Sequence, residues 1–163
     1  MDRDKIHLLI VDDDEPFLES MRKRLELRGF AVTCANRGDK AIEAARQHPV
    51  DIALVDLKMP GISGEETLEA LKREHEWTEV VILTGHGSVD SVVECTRSGA
   101  HSYLQKPCEL EHVLEALRDA YKKRIMNKMR IQEARMNALL QKASGDSALA
   151  VLRRLKEIEK GAD

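Results

Sequence analysis

The sequence predicts an α/β fold: a parallel sheet of five strands with helices on both faces. Two observations predict it. Short apolar runs alternate along the chain with longer segments whose apolar residues recur at helical spacing. The runs are apolar almost throughout, as strands buried on both faces are. Regular alternation of the two kinds of segment favours parallel strands joined by right-handed helical crossovers.

Five elements are predicted in the first third of the chain. Ile6–Val11 forms the first strand and runs directly into acidic residues. The first helix begins at Asp14, a good N-cap, tolerates Pro16 in its first turn and ends at Gly29. The next three elements are the strand Ala31–Ala35, the helix Gly38–Gln47 and the strand Ile52–Val55.

The second half of the predicted domain continues the alternation. A turn-rich loop over residues 59–64 leads into the next helix, and Ser88 is a good cap for the helix that follows the fourth strand. The predicted elements are the helix Glu65–His75, the strand Val80–Leu83, the helix Val89–Arg97, the strand Ser102–Gln105 and a helix that starts near Glu109.

The last helix continues past the point where the domain can cover its apolar stripe. Apolar residues keep recurring at three- and four-residue spacing up to a break at residues 144–146, after which a short amphipathic helix follows. We therefore predict a domain over residues 1–121 and a helical extension over residues 122–163. Because an exposed apolar seam needs a partner, we predict a homodimer through a coiled coil. Folding back onto the domain and binding another protein are the alternatives.

Composition limits the functional classes. The 163 residues are 42% hydrophobic, which is enough for a real core, and the charged amino terminus does not resemble a signal peptide. No apolar run reaches membrane-spanning length, so we expect a cytoplasmic protein without membrane partners. Residues 1–121 carry 15 Lys and Arg against 24 Asp and Glu, whereas residues 122–163 carry 11 against 5. The two parts are therefore expected to do different jobs.

Polar residues follow four of the predicted strands, at the point where each strand ends. Asp12 and Asp13 follow the first strand, Asp56 the third and Thr84 the fourth, and Lys106 comes just after the fifth. Because the carboxyl ends of parallel strands meet at one edge of the sheet, we expect these side chains to converge there. Ligands of open α/β sheets bind at that edge.

The convergent residues predict a phosphoryl-transfer site. Three clustered carboxylates cannot all stay charged without a cation, and hard oxygen ligands suit Mg²⁺. A carboxylate beside such a metal can act as a nucleophile towards phosphorus. The Lys106 ammonium and the Thr84 hydroxyl would then stabilise the charge on the transferred group.

These motifs resemble the receiver domain of bacterial two-component response regulators. The resemblance rests on Val11–Asp13, Val55–Gly61, Thr84–Gly85 and Lys106–Pro107, in order and at fitting spacing, and covers about residues 5–121. It implies a flavodoxin-like sheet with the strand order 2-1-3-4-5. It also implies a regulatory phosphoacceptor that phosphorylates itself from phosphodonors and dephosphorylates itself, rather than an enzyme acting on other substrates.

The resemblance implies a role for each acidic residue. Asp56 would accept a phosphoryl group from a histidine kinase or a phosphotransfer protein. Asp13 and Asp56 would bind Mg²⁺ together with the backbone carbonyl of Lys58, and Asp12 would act through water. Lys58 and His86 would flank the path of the hydrolytic water and tune the lifetime of the phosphorylated state.

The remaining motif residues would read out the phosphoryl group. Thr84 and Lys106 would hold its oxygens, and Tyr103 matches the aromatic switch residue that turns inward as Thr84 moves. The Lys106–Pro107 peptide bond would be cis. Cys108 departs from the family pattern, in which Phe is common, so the packing beside Lys106 is left open.

Two other interpretations remain open. The segment over residues 84–87 is similar to receivers of enhancer-binding transcriptional activators, and the alternative interpretation is a receiver fragment of a longer DNA-binding regulator. We do not expect nucleic-acid binding through this chain itself, although residues 122–142 hold seven Lys and Arg and one acid. Asp12 and Asp14 also resemble the nucleophile motif of haloacid-dehalogenase-like phosphatases, but Glu15-Pro16 follows where Gly-Thr is typical.

Overall fold

The computed structural model describes residues 4–142 and 148–161 and contains five strands and six helices within them. The strands are β1 (His7–Val11), β2 (Ala31–Ala35), β3 (Ile52–Val55), β4 (Glu79–Thr84) and β5 (Ser102–Gln105). The helices are α1 (Glu15–Glu26), α2 (Gly38–Gln47), α3 (Gly64–Glu74), α4 (Val89–Arg97), α5 (Leu110–Lys142) and α6 (Ala148–Lys160).

The five strands form one parallel sheet with the order β2-β1-β3-β4-β5, which confirms the predicted fold class and strand order. Central β1 pairs with β2 from His7 opposite Ala31 and with β3 from Leu8 opposite Ile52. Strand order reverses direction between β1 and β3, and open α/β sheets bind ligands at such a switch point. The carboxyl ends of β1 and β3 are therefore the natural place for a site.

Two cores lie on opposite faces of the sheet. Successive residues of a strand point to opposite faces, so Leu8 and Ile10 belong to one core and Leu9 and Val11 to the other. The first core packs the sheet against α1 and α5, and the second packs it against α2, α3 and α4. Both faces of the central strands are buried, which explains why the strands are apolar in sequence.

Side-chain caps define the starts of three helices. Asp14 accepts a hydrogen bond from the Phe17 N–H at 3.1 Å, and Ser63 caps α3. Ser88 and Ser91 form a reciprocal capping box at the start of α4. The prediction that Asp14 and Ser88 are caps is confirmed, whereas α3 begins one residue earlier than predicted.

Element ends differ from the predictions by one to three residues. Strand β4 includes both Glu79 and Thr84, because backbone pairing with β3 and β5 extends over them although neither is apolar. Helix α1 ends at Glu26, and Gly29, which has a φ of +91°, lies in the turn that leads to β2. The last helix of the domain begins at Leu110, which confirms the predicted start near Glu109.

The chain divides into two compact units between Arg124 and Ile125, within helix α5. The predicted boundary at residues 121 and 122 falls three residues earlier and stays a prediction. Helix α5 continues to Lys142, as the repeated apolar spacing predicts, and the predicted break at residues 144–146 lies outside the described residues. Among the helices described, none is both long and apolar enough to span a membrane.

Candidate functional site

The two central strands deliver two buried carboxylates to one edge of the sheet. The backbone N–H of Asp12 donates to Ala35 O at 3.1 Å, and that of Asp56 donates to Val11 O at 2.9 Å. These bonds continue the strand pairing one residue beyond β1 and β3. Asp12 and Asp56 are 2% and 5% exposed. Asp13 is exposed, yet its carboxylate lies within 4.8 Å of both others. The predicted acidic cluster therefore exists.

Asp12 is held by one backbone amide and one ammonium. Its Oδ1 accepts the Asp14 N–H at 3.0 Å, and its Oδ2 forms an ion pair with Lys106. Burial raises the pKa of the Asp12 carboxyl, the hydrogen bond from Lys106 lowers it, and the nearby Asp56 charge raises it further. The buried negative charge is thus only partly compensated by Lys106. A cation would compensate the remainder.

Asp56 is fixed through one of its two oxygens. Its Oδ1 accepts the N–H of Leu57 at 2.8 Å. The start of α3 packs closely underneath, because a Cβ at Gly64 would overlap the carbonyl oxygen of Asp56. Glycine at position 64 therefore lets the helix approach the backbone of the acidic residue. The Leu57 amide and the close approach of α3 together fix the position of the Asp56 carboxylate.

The ends of β4 and β5 supply a hydroxyl and an ammonium. The Lys106 N–H donates to Thr84 O at 2.8 Å, which ties the two strand ends together. Thr84 is fully buried, and its Oγ1 accepts the N–H of His86 at 3.2 Å. The Lys106 ammonium lies 3.9 Å from the centre of the Phe17 ring, so a cation–π contact helps to orient it towards the acidic residues. The Lys106–Pro107 peptide bond is cis.

Tyr103 lies on β5 with its hydroxyl against the start of α4. The hydroxyl oxygen is 3.2 Å from Ser91 Oγ, and the side chain is half-buried. A Cβ at Gly87 would overlap that hydroxyl, so the glycine provides the space that the ring occupies. The loop over residues 85–88 therefore connects the Thr84 hydroxyl to the Tyr103 ring.

The donor set at this edge fits Mg²⁺. Mg²⁺ takes oxygen ligands, uses few carboxylates and keeps several waters. The three carboxylates supply such oxygens, and exposed Asp13 leaves one side of the cluster open to solvent. The side chains of Lys58 and His86 are exposed as well, one in the loop after β3 and the other in the loop after β4. The ligand chemistry and the open side of the cluster therefore both suit Mg²⁺.

Comparison with known proteins identifies the family. The family model of the response regulator receiver domain matches residues 8–118, more than half of the chain. The chain belongs to the response regulator receiver family. The receiver match runs from the second residue of β1 through β5 and ends within α5, so it includes every residue of the predicted site.

The receiver resembles regulatory proteins in sequence. It is 37% identical over 110 residues to the acid tolerance regulatory protein ActR of Rhizobium meliloti (strain 1021), covering 68% of this chain and 57% of that protein. It is 32% identical over 114 residues to the transcriptional regulatory protein GlrR of Escherichia coli (strain K12), covering 70% of this chain and 26% of that protein. The chain thus matches about half or less of the length of these curated relatives.

The receiver also resembles solved structures. A CheY-like response regulator receiver domain from Methanospirillum hungatei JF-1 superposes with a TM-score of 0.73 at 27% identity, over 76% of this chain and 98% of that one. A receiver domain from Clostridium thermocellum gives a TM-score of 0.70 at 28% identity, over 74% of this chain and 98% of that one. Both likenesses cover the sheet and its helices and leave much of the extension outside.

Sequence reasoning did not single out three residues that shape the receiver site. Phe17 falls within the predicted first helix with no assigned role, yet its ring lies beneath the Lys106 ammonium. Gly87 and Ser91 surround the Tyr103 hydroxyl, whereas the sequence places them only in the segment after the fourth strand and in the helix that follows it. No sequence spacing signals these contacts, because each joins elements that are distant along the chain.

Proposed function

We propose that the receiver accepts a phosphoryl group on Asp56, in a Mg²⁺-dependent reaction, from a phosphohistidine of a histidine kinase or of a phosphotransfer protein. One observation carries the proposal. Three carboxylates lie within 4.8 Å of one another, and one of them pairs with the Lys106 ammonium, at the strand ends of a receiver fold. Such a surplus of negative charge favours a cation and the phosphoryl group that the cation accompanies.

Asp56 is the best nucleophile of the three acids. Its Oδ1 is engaged with the Leu57 amide, which leaves Oδ2 to attack phosphorus. The new bond joins Oδ2 to phosphorus as the bond from phosphorus to the donor histidine nitrogen breaks. The leaving electron pair stays on the imidazole nitrogen. Asp12 already pairs with Lys106, and Asp13 is exposed, so neither is held as favourably.

The other residues of the site would neutralise the charge of the phosphoryl group and orient it. Mg²⁺ would be held by Asp13, Asp56 and the backbone carbonyl of Lys58, with Asp12 acting through water. The ion would supply positive charge next to the transferred oxygens. The Lys106 ammonium would move its hydrogen bond from Asp12 to a phosphoryl oxygen. These groups act by positioning and by electrostatic stabilisation, which is the main requirement in phosphoryl transfer.

Thr84 and Tyr103 would carry the signal away from the site. The Thr84 hydroxyl, now hydrogen-bonded to the His86 amide, would bind the phosphoryl group and draw the loop over residues 85–88 with it. Because Gly87 and Ser91 line the Tyr103 hydroxyl, a shift of this loop changes the environment of the ring. Phosphorylation would thereby bias a two-state equilibrium at α4 and β5. Lys58 and His86, exposed beside the site, would tune the lifetime of the phosphorylated state.

Intact-mass measurement tests the acceptor. Incubation with acetyl phosphate and Mg²⁺ is expected to add one phosphoryl group to the chain, and Asp56→Asn is expected to abolish the addition. Asp51→Asn is the matched control, because Asp51 is a half-buried aspartate at the opposite edge of the sheet. Phosphorylation that survives Asp56→Asn would refute the acceptor assignment.

We propose a homodimer as the output state, formed by the extension. Within the second unit, Ile125, Met129, Met136 and Leu139 follow the three- and four-residue spacing of a coiled-coil seam, with Gln132 in the middle. Ile125, Met129 and Met136 are exposed. Light scattering with and without beryllofluoride and Mg²⁺ is expected to show a shift towards twice the monomer mass. The monomer mass in both states, up to high micromolar concentration, would refute the proposed homodimer.

A transcriptional output is the second candidate. GlrR is named a transcriptional regulatory protein, and the chain corresponds to only 26% of its length. The basic segment over residues 122–142 makes weak backbone binding to DNA worth testing. We expect no retention of this chain on DNA at 150 mM salt, and salt-sensitive retention would favour the second candidate.

A further inference from the structure

A cavity lies at the amino-terminal edge of the sheet, opposite the edge that holds the acidic cluster. It has a volume of about 510 Å³, within the range of small-molecule sites. Its apolar wall combines residues from before β1, from before β2 and from α5. These residues are Ile6, Phe30, Leu114, Leu117 and Tyr121. All belong to the edge of the first hydrophobic core, where side chains are buried or half-buried, so the wall is supported by packing.

Three basic side chains border this apolar wall from two directions. Arg28 comes from the turn after α1, and Arg118 and Lys122 lie one helical turn apart on α5. Arg28 donates one N–H to the Arg24 carbonyl at 2.9 Å. Among the described residues, none of the three forms an ion pair with a carboxylate.

These three cations form a basic cluster in a domain whose net charge is negative. Residues 1–121 hold 24 acidic residues against 15 basic ones, whereas the charged residues that line this cavity are all basic. Three like charges around an apolar surface repel one another, and an anion among them removes that cost. The three cations favour an anionic group on the ligand, and the apolar wall favours an apolar body.

We propose that this cavity, lined by Phe30 and Leu117 and bordered by Arg28, Arg118 and Lys122, binds a small amphiphile with an apolar body and one anionic head group. The body would cover Phe30, Leu114 and Leu117. The head group would bind between Arg28 and the two cations of α5, where a guanidinium can hold a carboxylate through two hydrogen bonds. A medium-chain carboxylate has this chemistry.

The size of the cavity favours a small ligand over a partner helix. An amphipathic helix needs a row of anchor sites along a groove, whereas five apolar residues line this cavity of about 510 Å³. The three cations border the same cavity from two elements, the turn after α1 and helix α5. An acidic helical peptide is the alternative occupant, and the experiment separates the two.

Titration calorimetry with sodium octanoate tests the proposal on the whole chain, with 1-octanol as the uncharged ligand of the same tail. We expect saturable binding of octanoate, at least tenfold tighter than that of 1-octanol. Arg118→Gln combined with Lys122→Gln should weaken octanoate binding at least tenfold and leave octanol binding unchanged. The matched control is Arg97→Gln with Lys40→Gln, one arginine and one lysine exposed elsewhere in the domain, and it should retain affinity within twofold.

Arg28→Gln provides an independent variant outside α5 and is expected to weaken octanoate binding as well. Amide chemical shifts should change at Phe30 and Leu114 and stay constant at Asp56. Absence of saturable octanoate binding would overturn the proposal. Equal affinity for octanol, or equal loss in the control variant, would also overturn it. Binding of an acidic amphipathic peptide by a chain that does not bind octanoate would assign the cavity to a protein partner instead.

Discussion

The two edges of the sheet hold clusters of charged groups that differ in balance. At the carboxyl-terminal edge, Asp12, Asp13 and Asp56 lie together, and Asp12 forms an ion pair with Lys106. At the amino-terminal edge, two acids each form an ion pair with a base. Asp51 Oδ1 lies 3.0 Å from Arg124 Nη2, and Glu79 Oε2 lies 3.5 Å from Lys123 Nζ. We call this second group, Asp51, Glu79, Lys123 and Arg124, the amino-edge cluster.

The difference in charge balance separates a ligand-binding cluster from ion pairs that only stabilise the fold. In the amino-edge cluster Asp51 also accepts the His7 N–H at 2.8 Å, and Arg124 also donates to the Trp77 carbonyl. Each acid of this cluster has a basic side chain within 3.5 Å, and these contacts join the ends of β1, β3 and β4 to α5. The carboxyl-terminal edge keeps an excess of negative charge that only a ligand can match. A surplus of negative charge, rather than charge itself, distinguishes the acidic cluster from the amino-edge cluster.

The largest expected effect is on stability, when the amino-edge cluster is broken. Arg124→Ala leaves Asp51, whose side chain is only 18% exposed, without its charged partner. We expect the free energy of unfolding to fall by roughly 2–3 kcal/mol, somewhat less than for a fully buried pair. Urea denaturation measures it. Arg22→Ala, which removes exposed pairs on α1, is the control and should cost much less. Equal losses would contradict the contrast drawn between paired surface charges and the cluster.

The next effect is on metal affinity at the other edge. Asp13→Asn removes one oxygen charge from the acidic cluster, so Mg²⁺ should bind at least about tenfold more weakly, a difference of roughly 1.4 kcal/mol. Asp51→Asn should leave Mg²⁺ affinity unchanged. Calorimetric titration with MgCl₂ measures both. A loss in Asp51→Asn, or none in Asp13→Asn, would show that charge surplus does not locate the metal.

A smaller effect on stability is expected when one acid of each edge is neutralised. The change in the free energy of unfolding should have opposite signs at the two edges. Burial raises the pKa of Asp12 despite Lys106, so its charge costs folding energy at neutral pH. Without Mg²⁺, Asp12→Asn should therefore raise the free energy of unfolding, whereas Asp51→Asn should lower it. Urea denaturation at pH 7 in the presence of a chelator compares them. The same sign for both variants would refute the contrast.

The smallest effect concerns pH. Burial lowers the pKa of His101 from its ordinary 6.5, Lys123 lowers it further, and Glu79 and Asp119 oppose the shift. Because the folded state disfavours protonation, stability should be complete above pH 6.5 and should fall as the pH drops through the lowered pKa. His101→Gln should lose less stability than the parent between pH 7.5 and 5.5 in urea denaturation. The exposed residue His48 provides the control, and an effect of His48→Gln as large as that of His101→Gln would refute the assignment.

The sequence predicted one edge well and the other poorly, for physical reasons. Asp12, Asp56, Thr84 and Lys106 stand at the ends of apolar runs, so a parallel sheet by itself predicts that they converge. Nothing comparable marks the amino-edge cluster. Glu79 is acidic and was left outside the predicted strand, although it is buried in β4.

The position of α5 explains the rest of that failure. Arg124 lies in a basic stretch that reads as a solvated helical face, yet its side chain is only 13% exposed. Its partner Asp51 is 73 positions earlier in the chain, and such a pairing depends on how α5 packs against the sheet. Local spacing carries no information about that packing, and the same holds for Phe17 beneath Lys106.

The most direct test of the central claim is to locate the phosphoryl group chemically. After incubation with acetyl phosphate and Mg²⁺, borohydride reduces an acyl phosphate and leaves a mass change on the residue that carried it. Peptide mapping is expected to find that change at Asp56 alone, and only when Mg²⁺ is present. A change at Asp12 or Asp13, or one that does not require Mg²⁺, would contradict the account.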